Sequence, residues 1–346
     1  PLWILYSSGT TGIPKAITHG TGGILVEHMK ALALHQNVQR GDNFLWYSTT
    51  GWMMWNYSLS SLLCGATLCL FDGIINHDEQ RTFWHFLKTA KVDHLGAGAA
   101  YYSSLSTFDK GDFVPKVIAS TGSPLSPETF TFLQYNFPDT PIISLSGGTD
   151  VCSAFLSGCA MLPVYAGQLQ CITLGSAIEA FNEEGTPVIN EVGELVITKA
   201  MPSMPICFWN DTHNTKYKDS YFDKFSGVWA HGDWIKINPQ EGIIIYGRSD
   251  ATLNRDGVRI GTAEIYNTVQ NIQHIKDSLV ITEDMEGGHS KMILFVQLQK
   301  GIILDDQLVA LLKSSLRLEN SPRHVPDFIY QVQDIPYTLS GKKLEL

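Results

Sequence analysis

From Leu2 to about Asp150 the chain alternates short apolar runs with segments of helical period, and this alternation restricts the fold more than any other feature. The runs are LWILY at 2 to 6, NFLWY at 43 to 47, ATLCLF at 66 to 71, KVIAS at 116 to 120 and PIISLS at 141 to 146. Between them Leu25, Met29 and Leu32 fall at i, i+4 and i+7, and the stretches 79 to 90 and 127 to 137 also read as helices. Strand, helix, strand repeated in this way predicts an α/β fold, a parallel sheet with helices on its faces. Ligands of such sheets sit beyond the carboxyl ends of the strands, so the loops after Tyr6, Ser120 and Ser146 become the places to search.

After Gly167 the pattern turns to short strands and turns, with GELVITK at 193 to 199, WIKINPQEG at 234 to 242 and IIIYG at 243 to 247. That predicts an antiparallel, barrel-like β subdomain. The polar stretch RSDATLNRDG follows, then a compact segment with apolar strands at 278 to 282 and 292 to 298 and one helix over 305 to 318. The expected organisation is a large domain over 1–249, made of an α/β sheet subdomain (1–166) and a β-rich subdomain (167–249), and a small α+β domain over 250–346, with the boundary at Ser249 and Asp250.

Charge and cysteine usage exclude several classes. With 24 Lys and Arg against 34 Asp and Glu, the net charge of −10 argues against a coat for nucleic acid or an anionic membrane. No apolar run approaches the about 18 residues of a membrane span, and no signal pattern opens the chain. The cysteines at 64, 69, 152, 159, 171 and 207 form no CxxC or zinc-type cluster and suit a reducing, cytoplasmic setting. No histidine pair has metalloprotease spacing.

The loop Tyr6-Ser-Ser-Gly-Thr-Thr-Gly-Ile-Pro-Lys15 is read as following an apolar strand and preceding a helix. Gly9 and Gly12 allow tight turns, the hydroxyls of Ser7, Ser8, Thr10 and Thr11 can surround phosphate oxygens, and Lys15 adds a point charge. It is not a Walker A loop, because Lys15 lies three residues after the second glycine and is followed by Ala16. The plain alternative is a flexible Ser/Gly linker.

This loop resembles the phosphate loop of the adenylate-forming superfamily, which includes acyl-CoA synthetases, adenylation domains of nonribosomal peptide synthetases and luciferases. Further motifs follow in that superfamily's order: Ser120-Thr-Gly-Ser-Pro124, Ser146-Gly-Gly-Thr-Asp150, His231-Gly-Asp233, Gly247-Arg-Ser-Asp250, Asn254-Arg-Asp-Gly-Val-Arg-Ile260, Ala263-Glu-Ile265 and Pro336-Tyr-Thr-Leu-Ser-Gly-Lys342. The resemblance implies a partial large domain, lacking its N-terminal portion, followed by a lid. It assigns adenine contacts to Gly122, Ser123 and Pro124, the α-phosphate to Thr149, Mg2+ to Asp150 in place of the more usual Glu, and the ribose hydroxyls to Asp233. Lys342 bridges carboxylate and phosphate oxygens in that family, Asp250 matches the hinge of the lid, and Gly257 faces the CoA thiol. Adenylation brings a carboxylate onto ATP, so positive charge is needed, and Lys15, Arg248, Arg259 and Lys342 with Mg2+ are the candidates.

At whole-chain level the phrases LWILYSSGTTGIPKAITHG, TTGWMMWN, SGGTD, WAHGD and IPYTLSGKK resemble the acetoacetyl-CoA synthetase family. The implied reaction is acetoacetate, ATP and CoA giving acetoacetyl-CoA, AMP and pyrophosphate. Trp52 and the pair Gly147 and Gly148 are expected to line the acyl pocket, Gly147 standing where acetyl-CoA synthetases carry a Trp and so leaving room beyond acetate. Relatives have a long region before the phosphate loop, so the chain is expected to be the later portion of a longer protein, with exposed apolar surface. The alternatives are an adenylating enzyme for another short or medium acid, with CoA or a carrier protein as acceptor, and an inert nucleotide-binding fragment. Gly96-Ala-Gly98-Ala-Ala-Tyr101 lacks the third glycine of a dehydrogenase loop, and no GxSxG elbow exists for a hydrolase.

Overall fold

In the computed structural model the described residues are 1–7, 14–75, 77–105, 110–249, 253–255, 258–260, 262–284, 290–337 and 343–344. In chain order they form β1 (Trp3–Ser7), β2 (Lys15–His19), α1 (Thr21–Met29), β3 (Asn43–Trp46), α2 (Met54–Leu59), β4 (Thr67–Leu68), α3 (Arg81–Thr89), β5 (His94–Gly98) and α4 (Ala99–Ser103). Next come β6 (Val117–Thr121), α5 (Pro127–Asn136), β7 (Ile142–Ser144), β8 (Ser146–Gly148), β9 (Ser153–Ser157), β10 (Cys171–Ile172), β11 (Ile178–Phe181), β12 (Val192–Ile197) and β13 (Cys207–Phe208). The rest are α6 (Thr215–Phe222), β14 (Trp229–Ile237), β15 (Ile243–Arg248), β16 (Leu253–Arg255), β17 (Val258–Ile260), α7 (Thr262–Gln270), β18 (Ile275–Asp284), β19 (Ser290–Leu298), α8 (Asp306–Glu319) and β20 (Phe328–Val332).

The expected parallel sheet is present, in the order β4-β3-β5-β6-β7. Its strands are apolar on both faces because both are covered. Leu45, Leu95, Ala97, Ile118 and Ile142 pack with Phe83, Trp84 and Leu87 of α3, Tyr102 of α4 and Leu133 of α5. Their strand neighbours Phe44, Trp46, Val117, Ala119 and Ile143 pack on the other side with Ile24 of α1, Ala31, Leu32 and Tyr57 of α2. Successive side chains thus divide between two cores, as the period of a strand requires. Ser126 caps α5 by accepting from the Thr129 N–H at 3.2 Å, with Pro127 preset at the first helical position.

Two expectations are corrected. The 2-to-6 run is not in this sheet: β1 pairs antiparallel with β2, and β2 with β13, with Ser7 opposite Lys15. The loop between them is therefore a hairpin connection, and α1 starts six residues after Lys15, so no helix N-terminus faces the loop. In α1 the stripe is also turned, since Leu25 and Met29 are exposed while Ile24, Glu27 and His28 are buried. A buried face carrying Glu and His is invisible to a hydropathy pattern.

The β-rich region contains β8, β9 and β10 as one antiparallel sheet, and a second sheet ordered β11-β12-β14-β15. By compactness the chain divides into Pro1–His231 with Lys236–Ile244, and Gly232–Ile235 with Ile245–Leu346. In the second unit β18 runs antiparallel to β19 and β19 parallel to β20. Leu308, Leu312 and Leu316 of α8 fall at helical spacing into a core with Val269, Val280, Leu294 and Val296. Asp305 caps α8, accepting from the Leu308 N–H at 2.8 Å. No helix among the described residues is long and apolar enough to cross a membrane.

Candidate active site

The turn Thr149–Cys152 links β8 to β9, closed by the Cys152 N–H donating to the Thr149 carbonyl at 3.2 Å. Because β8 begins two residues after β7 ends, this turn stands past the carboxyl end of the parallel sheet. The loop after β6, with Gly122, Ser123 and Pro124 exposed, is tied to the same place. Thr121 Oγ1 donates to the Leu145 carbonyl at 2.7 Å, and the Leu145 N–H to the Ser120 carbonyl at 2.8 Å. A Cβ on Gly122 would lie 3.7 Å from the Trp52 ring, so the expected pocket tryptophan is brought beside the expected adenine loop.

Around Asp150 the structure gathers residues from distant parts of the chain. The Tyr221 hydroxyl of α6 donates to Asp150 Oδ1, and His19 Nε2 donates to the Asp150 carbonyl at 2.9 Å. A carbonyl only accepts, so the His19 proton sits on Nε2. Burial lowers the His19 pKa and outweighs the hydrogen bond to Asp150, which favours the charged form. The Tyr221 ring stacks on Trp229 at 3.5 Å between centroids and 11° between planes. Lys15 Nζ lies 4.9 Å from the Tyr221 centroid and 5.9 Å from that of Phe208, so Lys15 is brought to the Asp150 cluster by cation–π contact.

The two glycines before Thr149 serve different ends. A Cβ on Gly147 would lie 1.8 Å from the Ser153 carbonyl oxygen and 2.7 Å from Ala154 Cα. Gly147 therefore permits the close approach of β8 and β9, and the acyl room expected at this Cβ is occupied by backbone. A Cβ on Gly148 would lie 3.2 Å from both Asp150 Oδ2 and His231 Cε1. His231 packs edge-on against Phe155, 4.7 Å between centroids.

Within the second unit, Arg248 Nη1 lies 3.7 Å from Asp233 Oδ1. A Cβ on Gly232 would meet Arg248 Nη2 at 2.6 Å, so the guanidinium lies against that glycine. Arg259 is on β17, paired opposite Asn254. Ser8, Gly9, Thr10, Thr11, Gly12, Asp250, Gly257 and Lys342 lie outside the described residues. Lys343, the neighbour of Lys342, is held firmly. Its Nζ lies 2.8 Å from Asp277 Oδ1, donates to the Ser278 carbonyl at 2.6 Å and sits 4.0 Å from the Tyr266 centroid. Tyr337 donates to Asp277 Oδ2 at 2.5 Å and pairs with Lys343 in an antiparallel bridge.

Among the described residues no three His, Cys, Asp or Glu side chains cluster as a metal site. None of the six cysteines is in a disulfide. A cavity of about 450 Å3 lies at the opposite, amino end of β6 and β7, lined by His35, Lys116, Gln134, Thr140, Cys159 and Gln170 among others. It contains none of the expected site residues. Sequence reasoning missed His19, Tyr221 and Trp229; the aromatic spacing Tyr217, Tyr221, Phe222 ahead of His231-Gly-Asp233 was the available signal.

Comparison with known proteins extends these observations. The family described as AMP-binding enzyme matches residues 1–204. The acetoacetyl-coenzyme A synthetase of Rhizobium meliloti (strain 1021) is 45% identical over 356 aligned positions, covering 100% of this chain and 54% of that protein. The acetoacetyl-CoA synthetase of Gallus gallus is 41% identical, covering 100% of this chain and 53% of that protein. The solved acetoacetyl-CoA synthetase from Streptomyces lividans superposes with a TM-score of 0.92 at 45% identity, covering 100% of this chain and 54% of that one. The chain spans about half the length of the curated relatives it matches. With a family match over more than half its length, and the family's motifs assembled past the carboxyl ends of a parallel sheet, the chain belongs to the AMP-binding enzymes.

Proposed function

We propose that the chain is the portion of an acetoacetate–CoA ligase that binds the nucleotide and carries the lid. The observation that carries this reading is its similarity, over its whole length, to acetoacetyl-CoA synthetases at 41% to 45% identity. In the first step an acetoacetate carboxylate oxygen attacks the α-phosphorus of ATP and pyrophosphate leaves, giving acetoacetyl-AMP. In the second the CoA sulfur attacks the acyl carbonyl, AMP leaves, and the thiol proton passes to solvent. Both steps need charge held in place more than covalent chemistry from the protein.

Thr149 and Lys15 are assigned to the phosphates, with Ser7, Ser8, Gly9, Thr10, Thr11 and Gly12 forming the loop around them. Gly122, Ser123 and Pro124 border the adenine, beside Trp52. Asp233 takes the ribose hydroxyls as a two-oxygen acceptor, which its distance of 3.7 Å from Arg248 allows. Arg248, Arg259 and Lys342 add positive charge where pyrophosphate departs, Asp250 is the hinge of a lid over 250–346 following a domain over 1–249, and Gly257 approaches CoA. Asp150 suits Mg2+, since that ion takes one or two carboxylates and fills its other positions with phosphate oxygens and water. A single acid in a partly exposed turn fits such a shared ion better than a closed protein cage would. When bound, Mg2+ supplies charge neutralisation on the triphosphate. The substrates are small molecules of the cytoplasm, and the unpaired cysteines agree with that compartment.

ATP–pyrophosphate exchange by the native protein, with acetoacetate, butyrate, acetate and an amino acid in turn, tests this reading. Acetoacetate is expected to give the fastest exchange. Exchange no higher than background with acetoacetate sinks the assignment, and faster exchange with butyrate transfers it to another short acid.

A further inference from the structure

We propose that Tyr221 is a positioning residue that fixes the Asp150 carboxylate and docks Lys15, so that the acid of the turn and the lysine of the loop share one aromatic support. The inference rests on the reading above in one respect, that Asp150 stands at the nucleotide's phosphates. Three contacts converge on this side chain, which is only 3% exposed. Its hydroxyl donates to Asp150 Oδ1. One face of its ring is covered by Trp229, stacked at 3.5 Å. That leaves the opposite face for the Lys15 ammonium at 4.9 Å from the centroid.

A carboxylate on a turn can rotate about its last bond, and a donor fixed to one oxygen removes that freedom. The donor is effective only if it is itself held. Trp229, 1% exposed, and the edge-on rings of Tyr217 and Phe208 hold the phenol in place. Lys15 is anchored by main-chain pairing to Ser7 while its ammonium rests on a π face, a contact weaker than one to phosphate oxygens. An arriving triphosphate can therefore draw the lysine off without breaking a buried ion pair. Tyr221 would then act before and after nucleotide arrival, holding Asp150 throughout and Lys15 only in the empty state.

Tyr221→Phe separates these roles, because it keeps the stack and the π face and removes only the hydroxyl. The Mg2+ concentration for half-maximal ATP–pyrophosphate exchange is expected to rise about 10- to 100-fold, the worth of a hydrogen bond to a charged group. The KM for acetoacetate should change less than about twofold. Calorimetric titration should show weaker binding of MgATP, with binding of metal-free ATP unchanged. In a Tyr221→Phe, Asp150→Asn double variant the two losses should fail to add. Trp229→Phe, which thins the stack and keeps the hydroxyl, should shift the Mg2+ requirement in the same direction by less. If Asp150→Asn leaves exchange and MgATP binding intact, the placing of Asp150 at the phosphates fails. If Asp150→Asn impairs both while Tyr221→Phe matches the unaltered protein, or raises the Mg2+ requirement and the acetoacetate KM alike, the role of Tyr221 is overturned.

Discussion

A Cβ at Gly147 would meet the Ser153 carbonyl at 1.8 Å, whereas one at Gly148 would meet Asp150 Oδ2 and His231 at 3.2 Å. The first contact is with backbone, which cannot turn away, and the second is with side chains, which can. Gly147→Ala is therefore expected to cost about 1–3 kcal/mol of stability or more, read as a fall in the denaturant midpoint. Gly148→Ala should leave that midpoint within about 1 kcal/mol of the parent while displacing the acid, lowering ATP–pyrophosphate exchange about tenfold. Nothing in the letters Ser-Gly-Gly-Thr-Asp separates the two glycines. The motif itself was legible, but which residue faces backbone and which faces the acid depends on the register of β8 against β9.

At the scale of the element, α1 shows why a hydrophobic stripe can mislead. Its buried face carries Glu27, whose Oε1 lies 2.6 Å from Lys30 Nζ and accepts from Ser153 Oγ at 2.9 Å. His28 on the same face bonds to Ser60 Oγ at 2.7 Å and to the Cys152 carbonyl at 2.6 Å. Their partners come from residues up to 126 positions away, so the sequence offers no local sign that these polar groups are inside. The strands of the parallel sheet were legible because burial on both faces leaves an uninterrupted apolar run, and α8 because its leucines keep period. The closing Lys-Lys pair is resolved only by contacts. Lys343 and Asp277 are 16% and 17% exposed, and Lys343→Met would leave Asp277 without its ammonium. That change should destabilise the second unit by about 1–3 kcal/mol, less than a fully buried pair because solvent screens some of it. Faster amide hydrogen exchange along β18 is the expected sign, and unchanged protection there would show that the pair contributes nothing.

For the whole molecule, buried histidines make stability depend on pH. Burial, opposed by the bond to the Cys152 carbonyl, lowers His28 from 6.5 to about 4. Burial also lowers His19, His35 and His94, against hydrogen bonds to Asp150, Gly158 and Asp42 respectively. A histidine whose folded pKa is depressed binds a proton more readily when unfolded. Its contribution is therefore complete above about pH 6.5 and is lost as pH falls towards 4. Urea titrations across that window should show stability dropping with pH, with His28 alone supplying roughly 3 kcal/mol of the slope. A flat profile there would mean that these imidazoles are not held neutral. The sequence by itself determined the α/β class, the order of the motifs and the family, because each rests on residues close together in the chain whose period or spacing survives without a partner. Tertiary structure alone decided that the Ser/Thr/Gly loop closes a hairpin, that Lys15, Tyr221 and Asp150 meet, and that Gly147 faces backbone. Those outcomes depend on contacts across scores of residues, set by sheet order and register, which no local pattern encodes.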